Sequence, residues 1–161
     1  MEQTEVKTST ETFRDTAAIG IIMCRHDTKG IQTLLIQEPD KAPPGQKPKW
    51  KFPCGKTHEG ETLEDALTRE MEEESGIDMD MVRSVEKIGI ENRGSHDQHI
   101  YLIEARPEAL RAVDRTIRYG DEGEALHLKV FTMDEVGQLG DELLYSHRKI
   151  IKKYFGGGKT T

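Results

Sequence analysis

Apolar residues fall along this chain in short bursts separated by polar connectors, and the period within the bursts changes from one to the next. Ala17 to Arg25 and Ile31 to Glu38 are dense in isoleucine and leucine and flank the polar tetrapeptide Asp27-Thr28-Lys29-Gly30. Continuous apolar runs bounded by turn residues read as strands, so this pair predicts a hairpin. Residues 39 to 49 hold four prolines and one glycine without periodicity, which predicts a surface loop of a length that compact domains often give to function. Trp50 to Pro53 reads as a short strand. From Leu63 the period lengthens, with Leu63, Ala66 and Leu67 at helical spacing, and predicts a helix over 63 to 75. Thr62 with Asp65 three places on has the capping-box arrangement at its start, and Gly76 suits the left-handed residue just past its end. Val82 to Glu91, His99 to Ala105 and Ala125 to Thr132 predict further strands. Leu144, His147, Ile151 and Tyr154 predict a second helix within 141 to 155. The order is mixed, an α/β chain without internal repeats.

At 161 residues the chain has the size of one ordinary domain, expected over 16–155 between a flexible polar N-terminus, 1–15, and a frayed tail, 156–161. The formal net charge of −7 argues against a nucleic-acid partner, which calls for a basic stripe. A phosphate compound stays compatible if a metal ion supplies the positive charge. Cys24 and Cys54 are too few for a disulfide framework or a cysteine-rich zinc site and read as reduced thiols. No apolar leader and no run near the roughly 18 residues of a membrane span are visible, so a soluble, cytoplasmic protein is expected. Gly157-Gly158-Lys159-Thr160 has the end of a P-loop but not its spacing, since position 153 is Lys153 rather than glycine.

The first helix carries the chemistry. At about 100° per residue, Leu63, Ala66, Leu67, Glu70 and Glu74 share roughly one 100° stripe with Met71 on its margin, Glu72 points away, and Glu73 lies about 60° from Glu70. Three carboxylates on or beside an inward face repel one another and call for a divalent cation; magnesium, which takes hard oxygen ligands, is the economical choice. The competing reading is a solvated acidic run.

The order of residues favours the first. Gly55, Glu61, Arg69, Glu70, Met71, Glu73, Glu74, Gly76 and Ile77, in the segment GKTHEGETLEDALTREMEEESGI, match every fixed position of GX5EX7REUXEEXGU, where U is a bulky aliphatic. The chain thereby resembles the Nudix hydrolase family, and the resemblance extends over about 16 to 155. It implies an αβα sandwich with a mixed β-sheet and a pyrophosphohydrolase that splits a nucleoside diphosphate linked to a further group X into nucleoside monophosphate and phosphorylated X. It also implies magnesium, or manganese in its place, held by Glu70, Glu73 and Glu74 with the backbone carbonyl of Cys54, a position where many members have glycine. Arg69 would orient a neighbouring carboxylate, Glu61 would brace the loop, and the general base would be a glutamate on a loop before a late strand, Glu122 or Glu124, or else Glu70. Homodimerisation is common among similar proteins. The alternative is a noncatalytic Nudix-fold nucleotide sensor, against which the intact box argues.

Around the box, Lys56, Lys51 and Trp50 are candidate substrate contacts, Lys56 and Lys51 for phosphate and Trp50 for stacking on a base, with simple packing as the alternative for Trp50. Lys49 and His58 lie nearby, with solvent exposure as the default reading and contact with a phosphate as the alternative. His96 and His99, on opposite faces of a strand, do not make a zinc pair. Asn92 and Arg93 stand where a proline would hint at ADP-ribose, and Gly94 and Ser95 where a tyrosine would hint at dinucleoside polyphosphates. The nature of X stays open.

Overall fold

The computed structural model describes residues 15–120 and 122–156. The expected N-terminal segment up to residue 14, Asp121 of the candidate base loop and the tail from residue 157, with its Lys159, lie outside the described residues. In chain order the elements are β1 (Asp15–His26), β2 (Gly30–Gln37), β3 (Trp50–Lys51), β4 (Cys54–Lys56), α1 (Leu63–Ser75), β5 (Val82–Asn92), β6 (His96–Ala105), α2 (Pro107–Val113), β7 (Ile117–Tyr119), β8 (Ala125–Thr132), α3 (Met133–Gln138) and α4 (Tyr145–Tyr154). One mixed sheet runs β5-β6-β1-β2-β8-β7, with β3 on β2 and β4 on β1. Among the ladders between described strands, β1 with β6 is parallel and the others are antiparallel.

β1 and β2 run continuously apolar because both faces of the sheet are covered, the condition under which strands lose their polar alternation. Alternate residues feed two cores. Ala18, Ile22, Leu34, Ile36, Tyr101, Ile103, Leu126 and Leu128 pack with Leu67 and Met71 of α1 and Leu110 of α2. Ile19, Ile21, Leu35, Ile100 and Phe131 pack with Phe52, Val136 of α3 and Ile150 of α4. The result is the αβα layering that the family resemblance implies. Each fully buried side chain of Leu67 or Met71 type contributes about 1.5–3 kcal/mol of transfer free energy. Gly20 lets α1 sit close, because a Cβ there would stand 3.0 Å from Ile103 Cδ1 and 3.3 Å from Leu67 Cδ1.

A splay between β1 and β2 positions the site. The two pair only at their hairpin end, from Met23 with Thr33 to His26 with Gly30. Beyond it, β2 takes up β3 through Ile36 with Lys51, and β1 takes up β4 through Ala17 to Ile19 with Lys56 to Cys54. Residues 50–56 therefore cross from one strand to the other like a wedge, and Gly20 N–H donates to the Pro53 carbonyl at 2.9 Å midway. Phe52 N–H donates to His147 Nδ1 at 3.0 Å, outside the ladder, and Pro53 has no N–H to offer. The expected four-residue strand is thus two residues of β3, a crossing, and β4.

The helix over 63–75 is formed as expected, with Thr62 accepting from Asp65 N–H at 3.0 Å and Gly76 left-handed at φ 78°. The second helix starts later than the spacing predicts, at Tyr145, since Leu143 is extended, bridges Trp50 and precedes Leu144, whose N–H donates to the Trp50 carbonyl at 2.9 Å. β6 begins three residues earlier than expected, at His96, because pairing with Asp15 to Ala17 of β1 draws in a polar stretch.

Candidate active site

α1 lies across the wedge, and two of its carboxylates come down on β4. Gly55 carries no side chain where one would collide with Glu70: a Cβ built there would stand 1.9 Å from Glu70 Oε2. One turn on, Glu74 Oε1 accepts the Cys54 N–H at 3.0 Å. The i, i+4 spacing that stacks side chains on one helix face thus sets Glu70 and Glu74 on successive residues of one strand. Ala66, Leu67 and Met71 of the same face are buried in the core, while Glu72 on the opposite face is exposed.

Arg69 ties the helix to the loop before it. Its Nε donates to Glu61 Oε2 at 2.7 Å and its Nη2 to Glu61 Oε1 at 3.0 Å, the fork geometry that guanidinium offers a carboxylate. Nη2 also donates to the Lys56 carbonyl at 3.0 Å, and Nη1 to Glu70 Oε2 at 2.8 Å and Glu73 Oε1 at 3.4 Å. Glu61 Oε1 in turn accepts the His58 N–H at 2.8 Å, which closes the turn between β4 and α1.

The carboxylates differ sharply in charge preference. The Arg69 hydrogen bonds and the His58 N–H hold Glu61 down at about 2. Burial pushes Glu70 above the usual carboxylate range despite Arg69. Glu74 is pushed up to about 8, first by desolvation and then by Glu70, against the pull of Lys51 and the Cys54 N–H. A carboxylate this deep without a full counter-charge is a feature of functional sites. Glu73 is more open, with 45% of its side chain exposed, and leans toward Arg69.

Among the described residues no three His, Cys, Asp or Glu side chains close around one point as a ready cage. The donors present are hard oxygens: Glu70, Glu74, the outward Glu73 and the carbonyl of Cys54. That set fits magnesium or manganese, which are commonly held by one or two carboxylates with waters and substrate phosphates completing the shell. It does not fit zinc, whose closed sites draw on thiolate and imidazole; burial raises the Cys54 thiol to about 12, so it stays protonated.

The remaining candidates separate. Glu122 and Glu124 lie on the turn between β7 and β8, where Glu124 Oε1 accepts the Glu122 backbone N–H at 3.1 Å and the Glu124 carboxylate packs on Gly120, so the Glu124 carboxylate is engaged within its own turn. That hairpin nevertheless abuts the helix: Arg118 of β7 donates to the carbonyls of Glu73 and Glu72 at 3.3 Å, capping the C-terminal end of α1 beside Gly76. Lys56 is exposed and pairs with Asp15 at 3.1 Å. Trp50 packs edge-on against Phe131 at 5.1 Å, in the core beneath α4.

Lys51 was visible in the sequence but its partners were not. Its Nζ lies 2.6 Å from Glu38 Oε1, whose other oxygen takes Lys41 at 3.1 Å. Burial disfavours the Lys51 ammonium, yet its ion pair with Glu38 and the nearby Glu74 carboxylate raise its pKa above the ordinary value. His147, buried and held neutral near 3 by desolvation, accepts the Phe52 N–H and stacks on the Phe52 ring at 5.7 Å. His96 and His99 share β6 without a joint role: His96 Nδ1 contacts Ser95 Oγ at 3.2 Å, and burial lowers the His99 pKa.

Two cavities flank these elements. One of about 270 Å³ lies under the connector 39–49 and reaches Glu38 and Lys51. The other, about 870 Å³, is lined by Met23, Cys24 and Arg25 with Glu86, Glu104 and Asp134. It sits six residues along β1 from Ala18, which pairs with Gly55, so about 20 Å away. Its rim is acidic, whereas the smaller cavity includes Lys51, whose charge acts on Glu74.

Known proteins resemble this chain in sequence and in fold. The NUDIX domain matches residues 14–154. Putative nudix hydrolase 1 of Caenorhabditis elegans is 38% identical over 74 residues, 46% of this chain but 19% of that protein. An 8-oxo-dGTP diphosphatase of Proteus vulgaris is 34% identical over 85 residues, covering 53% of this chain and 68% of that one. In fold, a mutT/nudix family protein from Listeria innocua superposes with a TM-score of 0.67 at 23% identity, over 88% of this chain and 91% of the other. With a matching domain over almost its whole described length and the box residues gathered where α1 meets β4, the chain belongs to the NUDIX domain family.

Proposed function

We propose that this protein is a magnesium-dependent pyrophosphohydrolase that converts a nucleoside diphosphate linked to X, with water, into a nucleoside monophosphate and phosphorylated X. The observation that carries the reading is the seating of Glu70 and Glu74 on β4, over Gly55 and Cys54, with Arg69 and Glu61 fixing the helix that bears them. When bound there, magnesium or manganese would neutralise the diphosphate and activate a water. Glu70, Glu74 and the Cys54 carbonyl are the inner donors, and Glu73 is the outer one. Arg69 holds one Glu70 oxygen and thereby aims the other. Glu61, fully charged at neutral pH, keeps Arg69 in place.

For the general base, Glu124 and Glu122 are the loop candidates, since their hairpin is anchored to α1 through Arg118. Glu70, with its raised proton affinity, is the candidate within the helix. Lys51 stands beside Glu74 to meet a substrate phosphate, and Lys56 flanks the outer edge. The 8-oxo-dGTP diphosphatase activity named for the Proteus vulgaris relative puts nucleoside triphosphates, oxidised ones included, among the substrates to offer.

The test is a panel of nucleoside triphosphates, nucleotide sugars, ADP-ribose and dinucleoside polyphosphates, with magnesium and with chelator, read by chromatography of the products. At least one compound should give a nucleoside monophosphate with magnesium and nothing with chelator. A folded protein that binds nucleotide and releases no monophosphate from any of them would make the chain a nucleotide sensor instead.

A further inference from the structure

Arg118 is the half-buried residue of β7, between the exposed Ile117 and Tyr119, and the ladder sets it opposite Leu126, a buried core residue of β8. Its guanidinium reaches from the sheet to the last turn of α1. Nε donates to the Glu73 carbonyl and Nη2 to the Glu72 carbonyl, each at 3.3 Å. Gly76 leaves room for it, because a Cβ there would stand 2.5 Å from Nη1.

The last carbonyls of a helix lack an intrahelical donor unless the chain turns back to supply one. Here Gly76 N–H returns to the Glu72 carbonyl at 3.0 Å, but Ile77 N–H goes to Ser75 Oγ at 3.1 Å. The Glu73 carbonyl, which residue 77 would have served in a longer helix, is taken by Arg118 instead. The two clamped carbonyls belong to the peptide planes on either side of Glu73, and the second plane leads into Glu74. Their orientation sets the direction in which both side chains leave the helix. A fixed positive charge also suits the negative end of the helix dipole. Arg69 holds Glu70 and Glu73 by their carboxylates; Arg118 holds the main chain that carries Glu73 and Glu74.

We propose that Arg118 is a positioning residue for the metal site: by clamping the Glu72 and Glu73 carbonyls to β7 it fixes the aim of Glu73 and Glu74, so that its loss weakens metal binding although its bonds are to the main chain. The catalytic consequence rests on the pyrophosphohydrolase reading above; the consequence for metal binding is measured without turnover.

The experiment titrates Mn2+, read by the electron paramagnetic resonance of the free ion, into wild type, Arg118→Ala, Arg118→Lys and Arg83→Ala. Arg83, exposed on β5 at the far edge of the sheet, controls for the loss of one positive charge. Arg118→Ala should raise Kd by about tenfold, the lower end of the range usual for residues that support a ligand. Arg118→Lys, which keeps the charge and can serve one carbonyl, should recover part of the loss, and Arg83→Ala should match the wild type. With the best panel substrate, the Mg2+ concentration for half-maximal rate should rise by the same factor in Arg118→Ala, with KM for the nucleotide unchanged. A Kd unaltered in Arg118→Ala, an equal loss in Arg83→Ala, or fewer sites at unchanged Kd, the mark of partial unfolding, overturns the proposal. If no compound is turned over, the hydrolase reading falls and the Mn2+ titration alone decides the role of Arg118. A wild type that binds no Mn2+ overturns both.

Discussion

Glu74 carries its carboxylate half-buried, held by one N–H and faced by Lys51, and desolvation lifts it to about 8 from an ordinary 4.5. In the metal-free protein this has a defined sign. Between pH 4.5 and 8 the folded state keeps a proton that the unfolded state has released, so stability falls as pH rises through that window and levels off beyond it. Glu70, also raised, acts in the same direction, whereas Glu61, lowered to about 2, exerts its influence below pH 4.5. Thermal unfolding in chelator should therefore show a midpoint that declines from pH 5 to pH 8 in the wild type and declines less in Glu74→Gln; parallel curves would contradict the assignment. The box residues were legible from the sequence because their roles follow from spacing within one helix and the turn before it. Lys51 with Glu38 was not, since nothing in the local sequence says that residues thirteen apart meet when a looped connector closes.

At the scale of elements, α1 and the two long strands of each hairpin were readable because their periodicity extends over many residues. The short elements escaped. β4 and β7 are three residues each and have no period to read. α2 and α3 carried signals that pattern alone passed over: Pro107 at the first turn of α2, and the reciprocal capping box between Thr132 and Glu135 at the start of α3. The wedge of residues 50–56 depends on a contact 95 residues distant, His147 Nδ1 accepting the Phe52 N–H. Spacing placed His147 on the apolar face of its helix, but not its partner. His147→Ala would leave that buried N–H unsatisfied and open a void beside the Phe52 ring, at a cost of about 2–4 kcal/mol. Chemical denaturation should show this loss, with His147→Asn recovering part of it because an amide oxygen can accept the same bond. Equal stability of wild type and His147→Ala would mean that the wedge is held by the ladders alone.

For the molecule as a whole, the sheet separates two environments along β1. The hairpin end opens on a large cavity with an acidic rim; the other end carries the wedge, the carboxylates and the lysine-lined cavity. The net charge of −7 argued against a basic nucleic-acid face at the sequence level, and it hid the local gathering of lysines around Glu38, because a total says nothing of distribution. Among the described residues no helix is long and apolar enough to cross a membrane. The mixed sheet follows from the parallel pairing of β1 with β6, which the order of strands alone did not specify.

Glu74, seated on β4, is the residue on which we propose that α1 depends as a metal-binding catalytic helix. The most direct measurement is steady-state turnover of the best panel substrate by wild type and Glu74→Gln at saturating magnesium, with unfolding midpoints recorded on the same samples. The account predicts a loss in kcat of at least about 100-fold, beyond the 10- to 100-fold usual for residues that only support a ligand, in a protein that remains folded. A folded Glu74→Gln variant retaining near wild-type kcat would contradict it.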